Sequence, residues 1–155
     1  MFLANKKHAA PALRLPALRV IGQALATYIL AEGPDGVYLI DQHAAHERIL
    51  FEQIGTARAA RGVEVQGLLE PEALELSPAE DAVLADHIAS LAEFGFNLEP
   101  FGERVYLVRA VPAVLREKDW QMTLRATLDR VAAGDAADWP EHVTATLACH
   151  AAVRA

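Results

Sequence analysis

The apolar and polar positions along the chain divide it into short strands and longer helices. Residues 18–31, "LRVIGQALATYILA", are β-branched or aromatic at Val20, Ile21, Thr27, Tyr28 and Ile29 and read as one strand. "EGPDG" at 32–36 is turn chemistry, and "VYLID" at 37–41 reads as the returning strand of a hairpin. From about 44 to 60 the pattern predicts a helix with a narrow stripe of Ile49, Leu50 and Ile54, stopped near Gly62. Residues 63–77 read as extended, with Pro71 as a breaker. Ser77, Pro78 and Glu80 then predict a helix start with a capping box, and Leu84, Ile88, Leu91 and Phe94 continue its buried face to Gly95. "RVYLVRAVP" at 104–112 alternates like a strand. A helix is expected over 118–133, closed by Gly134, and a last one opens at Asp138-Trp139-Pro140-Glu141 and runs to Ala155. That helix ends without a capping signal, which reads as a chain that continues in its natural form. Residues 1–16 read as a linker remnant without periodicity.

Composition changes this picture little. An apolar fraction of 53% is ample for a core, and 23% charged residues is an ordinary value. No apolar run approaches the roughly 18–20 residues of a membrane span, and no signal peptide is visible. Cys149 is the single cysteine, so an internal disulfide framework is excluded and a reducing, cytoplasmic setting is expected. A net charge of −7 argues against tight binding to DNA by this chain alone.

The chemistry concentrates in "DQHAAHERILFE", residues 41–52. On a helix His43 and Glu47 share one face, four apart. Asp41, just ahead of the helix, can reach the same point, giving a half-site for Zn²⁺ or Mn²⁺. By spacing alone a solvated face of Glu47, Arg48 and Glu52, with His43 satisfied by backbone, is slightly favoured over that half-site. His46 either contributes or faces away. Cys149 and His150 are adjacent, so on a helix they point about 100° apart and form no nucleophile–base pair. By itself Cys149 reads as a small core residue or as a ligand. Trp120 and Trp139 read as core or interface anchors, and Arg104 and Arg109 as solvated flanks of a strand.

"DQHAAHERILFE" resembles the pattern DQHA-x2-E-x4-E of the endonuclease-type C-terminal domain of the MutL family of DNA mismatch-repair proteins. The hairpin ahead of it, "VRAVPAVL" at 108–115 and "LACHAAVRA" at 147–155 are similar to further family segments, although His150 stands in a basic position. The resemblance implies an α+β fold of two lobes. Residues 17–62 with 137–155 would form a dimerisation lobe, and 63–136 an inserted external lobe. It implies metal-dependent nicking of duplex DNA during mismatch repair. Asp41, His43, Glu47 and Cys149 would be the metal ligands, Asp41 or Glu47 would also position the attacking water, and Glu52 would stand behind the ligands as the motif's last acid. Mn²⁺ or Zn²⁺, with Mg²⁺ as a further option, would be the cofactor. ATP would enter only through an N-terminal region that this sequence lacks. The family's Cys-Pro-His-Gly-Arg-Pro segment does not occur here either, so an incomplete site is expected, with weak metal binding and little nicking. The alternative is a non-catalytic dimerisation and clamp-docking module.

"QGLLEP" at 66–71 fits the Q-x-L-L-x-P form of sliding-clamp peptides, with Gln66, Leu68, Leu69 and Pro71 as the contacts. The competing reading makes Leu68 and Leu69 part of a core. The resemblance favours the clamp, and a clamp already on DNA would deliver an acidic nuclease. Its other implied partners are a second copy of the chain, paired through apolar positions of the 18–31 strand, the mismatch-recognition protein MutS, and DNA itself; no membrane is implied.

Overall fold

A computed structural model of the chain describes residues 15–134 and 138–152. The linker reading of 1–16 and the end of the last helix at 153–155 therefore fall largely outside the described residues. The architecture is α+β, with two three-stranded antiparallel sheets and four α-helices among the described residues. The chain forms two compact units, one through Gln42 and one from His43 onward.

The first unit is a meander of β1 (Arg19–Ala24), β2 (Tyr28–Gly33) and β3 (Gly36–Asp41). The single strand expected over 18–31 is thus two strands. Leu25 and Ala26 take φ of 53° and 54°, and the Thr27 N–H donates to the Ala24 carbonyl at 3.1 Å to close the turn. Positive φ at both central residues suits the right-handed twist of a hairpin, although it disfavours side chains with a Cβ. The second turn follows expectation: Gly33 pairs with Gly36 across Pro34-Asp35. Gly33 is required by close approach, since a Cβ there would lie 2.7 Å from the Tyr38 ring and 2.8 Å from a Leu18 methyl.

Register separates the two faces of this sheet. Leu30 pairs with Leu39 and Glu32 with Val37, so these side chains share one face, and Leu39 and Val37 are 60% and 69% exposed there. Tyr38, Ile40 and the buried Ala31 alternate onto the other face.

The second unit holds α1 (Gln42–Ala59), whose first residue belongs to the first unit, then β4 (Val65–Glu75), α2 (Pro78–Glu93), β5 (Asn97–Gly102), β6 (Val105–Pro112), a short 3₁₀ turn (Ala113–Leu115), α3 (Trp120–Ala132) and α4 (Trp139–Ala151). Its sheet runs β4-β6-β5, so the late strand β6 is central. β5 was not anticipated, because Pro100 and Gly102 hide its alternation. β4 begins and β6 ends side by side: Val65 pairs with Pro112, and the Ala113 N–H donates to the Glu64 carbonyl at 2.9 Å. Pro71 does not break β4. Instead the ladder jumps from Gly67–Ala110 to Glu72–Val108, leaving residues 68–71 opposite Arg109 alone.

The helices close over this sheet through one apolar cluster. α2 starts at Ser77 with a complete capping box: the Ser77 N–H donates to Glu80 at 2.7 Å and the Glu80 N–H to the Ser77 hydroxyl at 3.3 Å. Leu84, Leu91 and Phe94 of this face are fully buried, each contributing about 2 kcal/mol. Trp120, Leu124, Leu128 and Val131 line α3, and Trp139, Val143, Leu147 and Ala151 line α4. Both tryptophans are therefore core residues, and Trp139 Nε1 donates to Ser90 at 2.9 Å. On α1 the stripe differs from the expectation. Ile54 is buried and Leu50 and Phe51 pack on the cluster, whereas Ile49 is 53% exposed. Arg104 also departs from its solvated reading, since its Nε is buried without a hydrogen-bond partner.

Candidate metal centre

β3 ends at Asp41 and α1 begins at once, so His43 and Glu47 fall in the first two turns of the helix. Their spacing brings His43 Nε2 to 3.5 Å from Glu47 Oε2, with both side chains about a third exposed. The third donor comes from α4, where the free, half-buried Cys149 stands. One donor atom each from His43, Glu47 and Cys149 lie within 4.8 Å of one another.

These residues fit a divalent transition metal. Imidazole nitrogen, carboxylate oxygen and thiolate sulfur bind Zn²⁺ at about 2.0–2.3 Å, so neighbouring ligands in a tetrahedral site stand somewhat under 4 Å apart. The His43–Glu47 separation meets this as it stands, and the Cys149 sulfur lies within 4.8 Å of both donors. A thiolate favours Zn²⁺ over Mg²⁺, which prefers all-oxygen shells. Three donors also leave a position for an oxygen ligand, as catalytic metal sites do.

The other expected site residues lie as follows. Asp41 is exposed at the end of β3, in the first unit. Glu52 accepts from Arg48 Nε at 2.9 Å on the outer face of α1, with both side chains mostly exposed. His150 pairs with α3: its Nδ1 is 2.9 Å from Thr123 Oγ1. The same hydroxyl lies 3.0 Å from the Asp119 carbonyl, to which it donates. Gln66 is half-buried, with its amide oxygen enclosed and unpartnered. Leu68 packs on the core cluster, and Leu69 is fully exposed. Pro71 is exposed, and Arg109 makes a bidentate pair with Glu99 at 2.9 and 3.1 Å.

An apolar cleft of about 500 Å³ lies elsewhere in the second unit, against Ile54, Phe94, Val114 and Leu147, and includes none of the three donors. The His43 and Glu47 side chains are 35% and 38% exposed, and Cys149 is half-buried. One residue that no motif had marked stands on its flank. Thr146, one helical turn before Cys149, is buried with an unpartnered hydroxyl.

The second unit is thus an α+β domain whose first and last helices assemble a candidate three-donor metal group. Over residues 21–155 the sequence matches the family described as the MutL C terminal dimerisation domain, and the chain belongs to that family. Curated relatives named DNA mismatch repair protein MutL agree. The protein of Koribacter versatilis is 43% identical over 144 residues, covering 90% of this chain and 22% of its own length. That of Geobacter sulfurreducens is 44% identical, covering 88% of this chain and 23% of its own length. The Methanoculleus marisnigri protein is 46% identical, over 91% of this chain and 25% of its own length. The chain therefore spans about a quarter or less of the length of these relatives.

Proposed function

We propose that this chain is the dimerisation and metal-dependent DNA-nicking domain of a mismatch-repair protein, with α1 carrying the metal-binding core of the nuclease centre. The observation behind this reading is the convergence of His43, Glu47 and Cys149 from α1 and α4 within a DQHA-x2-E frame. His43, Glu47 and Cys149 would hold the ion, with Asp41 as a further ligand and Glu52, paired with Arg48, as an outlying acid. When bound, the metal lowers the pKa of a coordinated water and neutralises charge on the phosphate. Glu47 or Asp41 would accept the water's proton and orient its oxygen toward phosphorus, the new P–O bond replacing the one to the leaving sugar oxygen. Zn²⁺ suits the thiolate best, and Mn²⁺ or Mg²⁺ would suit a more oxygen-rich shell.

The apolar face of the first sheet supports pairing with a second copy of the chain. Val37 and Leu39 present large side chains to solvent beside Leu30, the kind of patch that dimers cover. The two-lobed division, with 63–136 inserted, belongs to the same reading. It is supported by the hydrogen bond between Ala113 and Glu64, which brings the ends of that segment's strands together.

The sliding-clamp reading draws on β4. Residues 68–71 stand out of the ladder with Leu69 wholly exposed, as a docking peptide requires. A clamp and MutS, both tied to DNA, would offset the poor affinity of an acidic domain for phosphate. A non-catalytic dimerisation and clamp-docking module is the competing reading. The two separate in a supercoiled-plasmid nicking assay with Mn²⁺, comparing the wild-type protein with Asp41→Asn and Glu47→Gln. Nicking that falls at least about 100-fold in either variant supports the nuclease; equal nicking by all three removes it.

A further inference from the structure

The buried threonines of the last two helices have one exception among them. A helical threonine buried in a core commonly turns its hydroxyl to a carbonyl one turn earlier. Thr123 donates to Asp119, Thr127 to Thr123 and Thr144 to Pro140, at 3.0, 2.9 and 2.7 Å. Thr146 does not. Its residue is 5% exposed, and its hydroxyl oxygen is enclosed without any hydrogen-bond partner.

An unpaired buried hydroxyl forfeits its hydration, so one kept in that state calls for an explanation, and a partner from outside the polypeptide is one. The position of Thr146 suggests which. It precedes Cys149 by three residues on α4, so the two side chains are neighbours on adjoining turns. Cys149 is the residue through which α4 joins His43 and Glu47. His43, Glu47 and Cys149 are three donors of a metal's shell, and an oxygen ligand beside them, whether water or a carboxylate such as that of Asp41, would need a hydrogen-bond donor to orient it.

We propose that Thr146 is a positioning residue of the metal group, its hydroxyl donating to the oxygen ligand held beside Cys149. This rests on the metal-site reading above and adds to it a residue outside the DQHA motif. The hydroxyl would fix where that oxygen sits, and the rigid helix between Thr146 and Cys149 would keep its distance from the sulfur constant. Partners of this kind typically change metal affinity about 10–100-fold.

The test uses Co²⁺ as a spectroscopic probe on the full 155-residue chain. Visible d–d bands and thiolate-to-cobalt charge transfer are followed during titration of wild type, Thr146→Val, Thr146→Ser and His43→Ala. Thermal unfolding of each metal-free protein is recorded alongside. Thr146→Val keeps the shape and removes the hydroxyl. It is expected to weaken Co²⁺ binding about tenfold or more and shift the d–d bands, with metal-free stability equal to or above wild type. Thr146→Ser is expected to restore affinity and bands. If Thr146→Val binds Co²⁺ as wild type does while His43→Ala does not, the proposal fails and the metal site stands. If Thr146→Val instead loses metal-free stability with unchanged spectra, the threonine is structural and the proposal also fails. Should wild type give no thiolate–cobalt signal, or His43→Ala the same signal as wild type, the metal-site reading falls and takes the proposal with it.

Discussion

The Arg125 guanidinium on α3 reaches the Glu80 carboxylate of α2 at 2.9 Å, and the same carboxylate accepts the Ser77 N–H that opens α2. One buried acid thus fixes both a helix start and the contact between two helices. Arg125 adds a bond to the Glu75 carbonyl at 2.6 Å, tying the end of β4 into the same network.

This arrangement gives stability a defined dependence on pH. Burial pushes the Glu80 carboxyl upward, but the Ser77 backbone and hydroxyl and the Arg125 charge outweigh it and hold the group below its ordinary 4.5. The unfolded chain then binds the proton more readily than the folded one. The contribution of Glu80 is fully present above the ordinary value and is lost as pH falls through the folded value. Glu80→Gln is expected to cost about 1 kcal/mol at neutral pH, discounted for the partial exposure of Arg125. Urea unfolding from pH 7 downward checks this: the gap between wild type and variant should narrow as pH falls below the ordinary 4.5 and through the lower folded value. A gap that stays constant contradicts the assignment.

The turn at Leu25-Ala26 predicts the opposite sign of effect. Both residues hold positive φ with a Cβ in place. Replacing them together, Leu25→Asn with Ala26→Gly, is expected to stabilise the first sheet by about 1 kcal/mol. Amide exchange of β1 and β2 should slow in the double variant. Faster exchange would mean that the turn is held by contacts of Leu25 rather than strained.

For dimer formation, the exposed face of the first sheet is the measurable surface. Leu39→Glu with Val37→Glu adds two like charges per copy to a patch whose side chains are more than half exposed. The expected outcome is a monomer in sedimentation at concentrations where wild type is a dimer, with the α-helical signal unchanged. A dimer that persists places its interface elsewhere.

Leu69 separates docking from folding. Its side chain lies wholly in solvent, so Leu69→Ala should change stability by less than about 0.5 kcal/mol. Leu68→Ala, against the core cluster, should cost about 1–2 kcal/mol. If the clamp reading holds, both variants weaken binding to an immobilised clamp, but only Leu68→Ala lowers the unfolding midpoint. Undiminished binding by Leu69→Ala would count against it.

What the sequence made legible follows from range. The His43–Glu47 pairing is a helix-period signal four residues long, and the capping box at Ser77 is three, so both were readable locally. Cys149 was not: nothing in its own neighbourhood reveals that α4 meets the start of α1, and only family resemblance joined them. The turn at Leu25-Ala26 lacked glycine, asparagine or proline, so two strands read as one. Pro71 read as a strand breaker because proline cannot donate to a ladder, yet it sits where the ladder is already interrupted and no donor is needed. Thr146 carried no local signal at all, since an unmade hydrogen bond has no pattern in sequence.

The interruption in β4 has a kinetic and entropic consequence. Residues 68–71 are clamped at both ends by ladder pairs, Gly67 with Ala110 and Glu72 with Val108. A recognition peptide in a free tail loses backbone freedom for every residue it orders on docking, about 1–2 kcal/mol each. Here folding has already fixed the two ends, so much of that loss precedes any encounter. A partner meeting this segment would meet a short preformed arch rather than a fluctuating chain, and its affinity would depend less on temperature-sensitive ordering and more on the fit of the exposed Leu69.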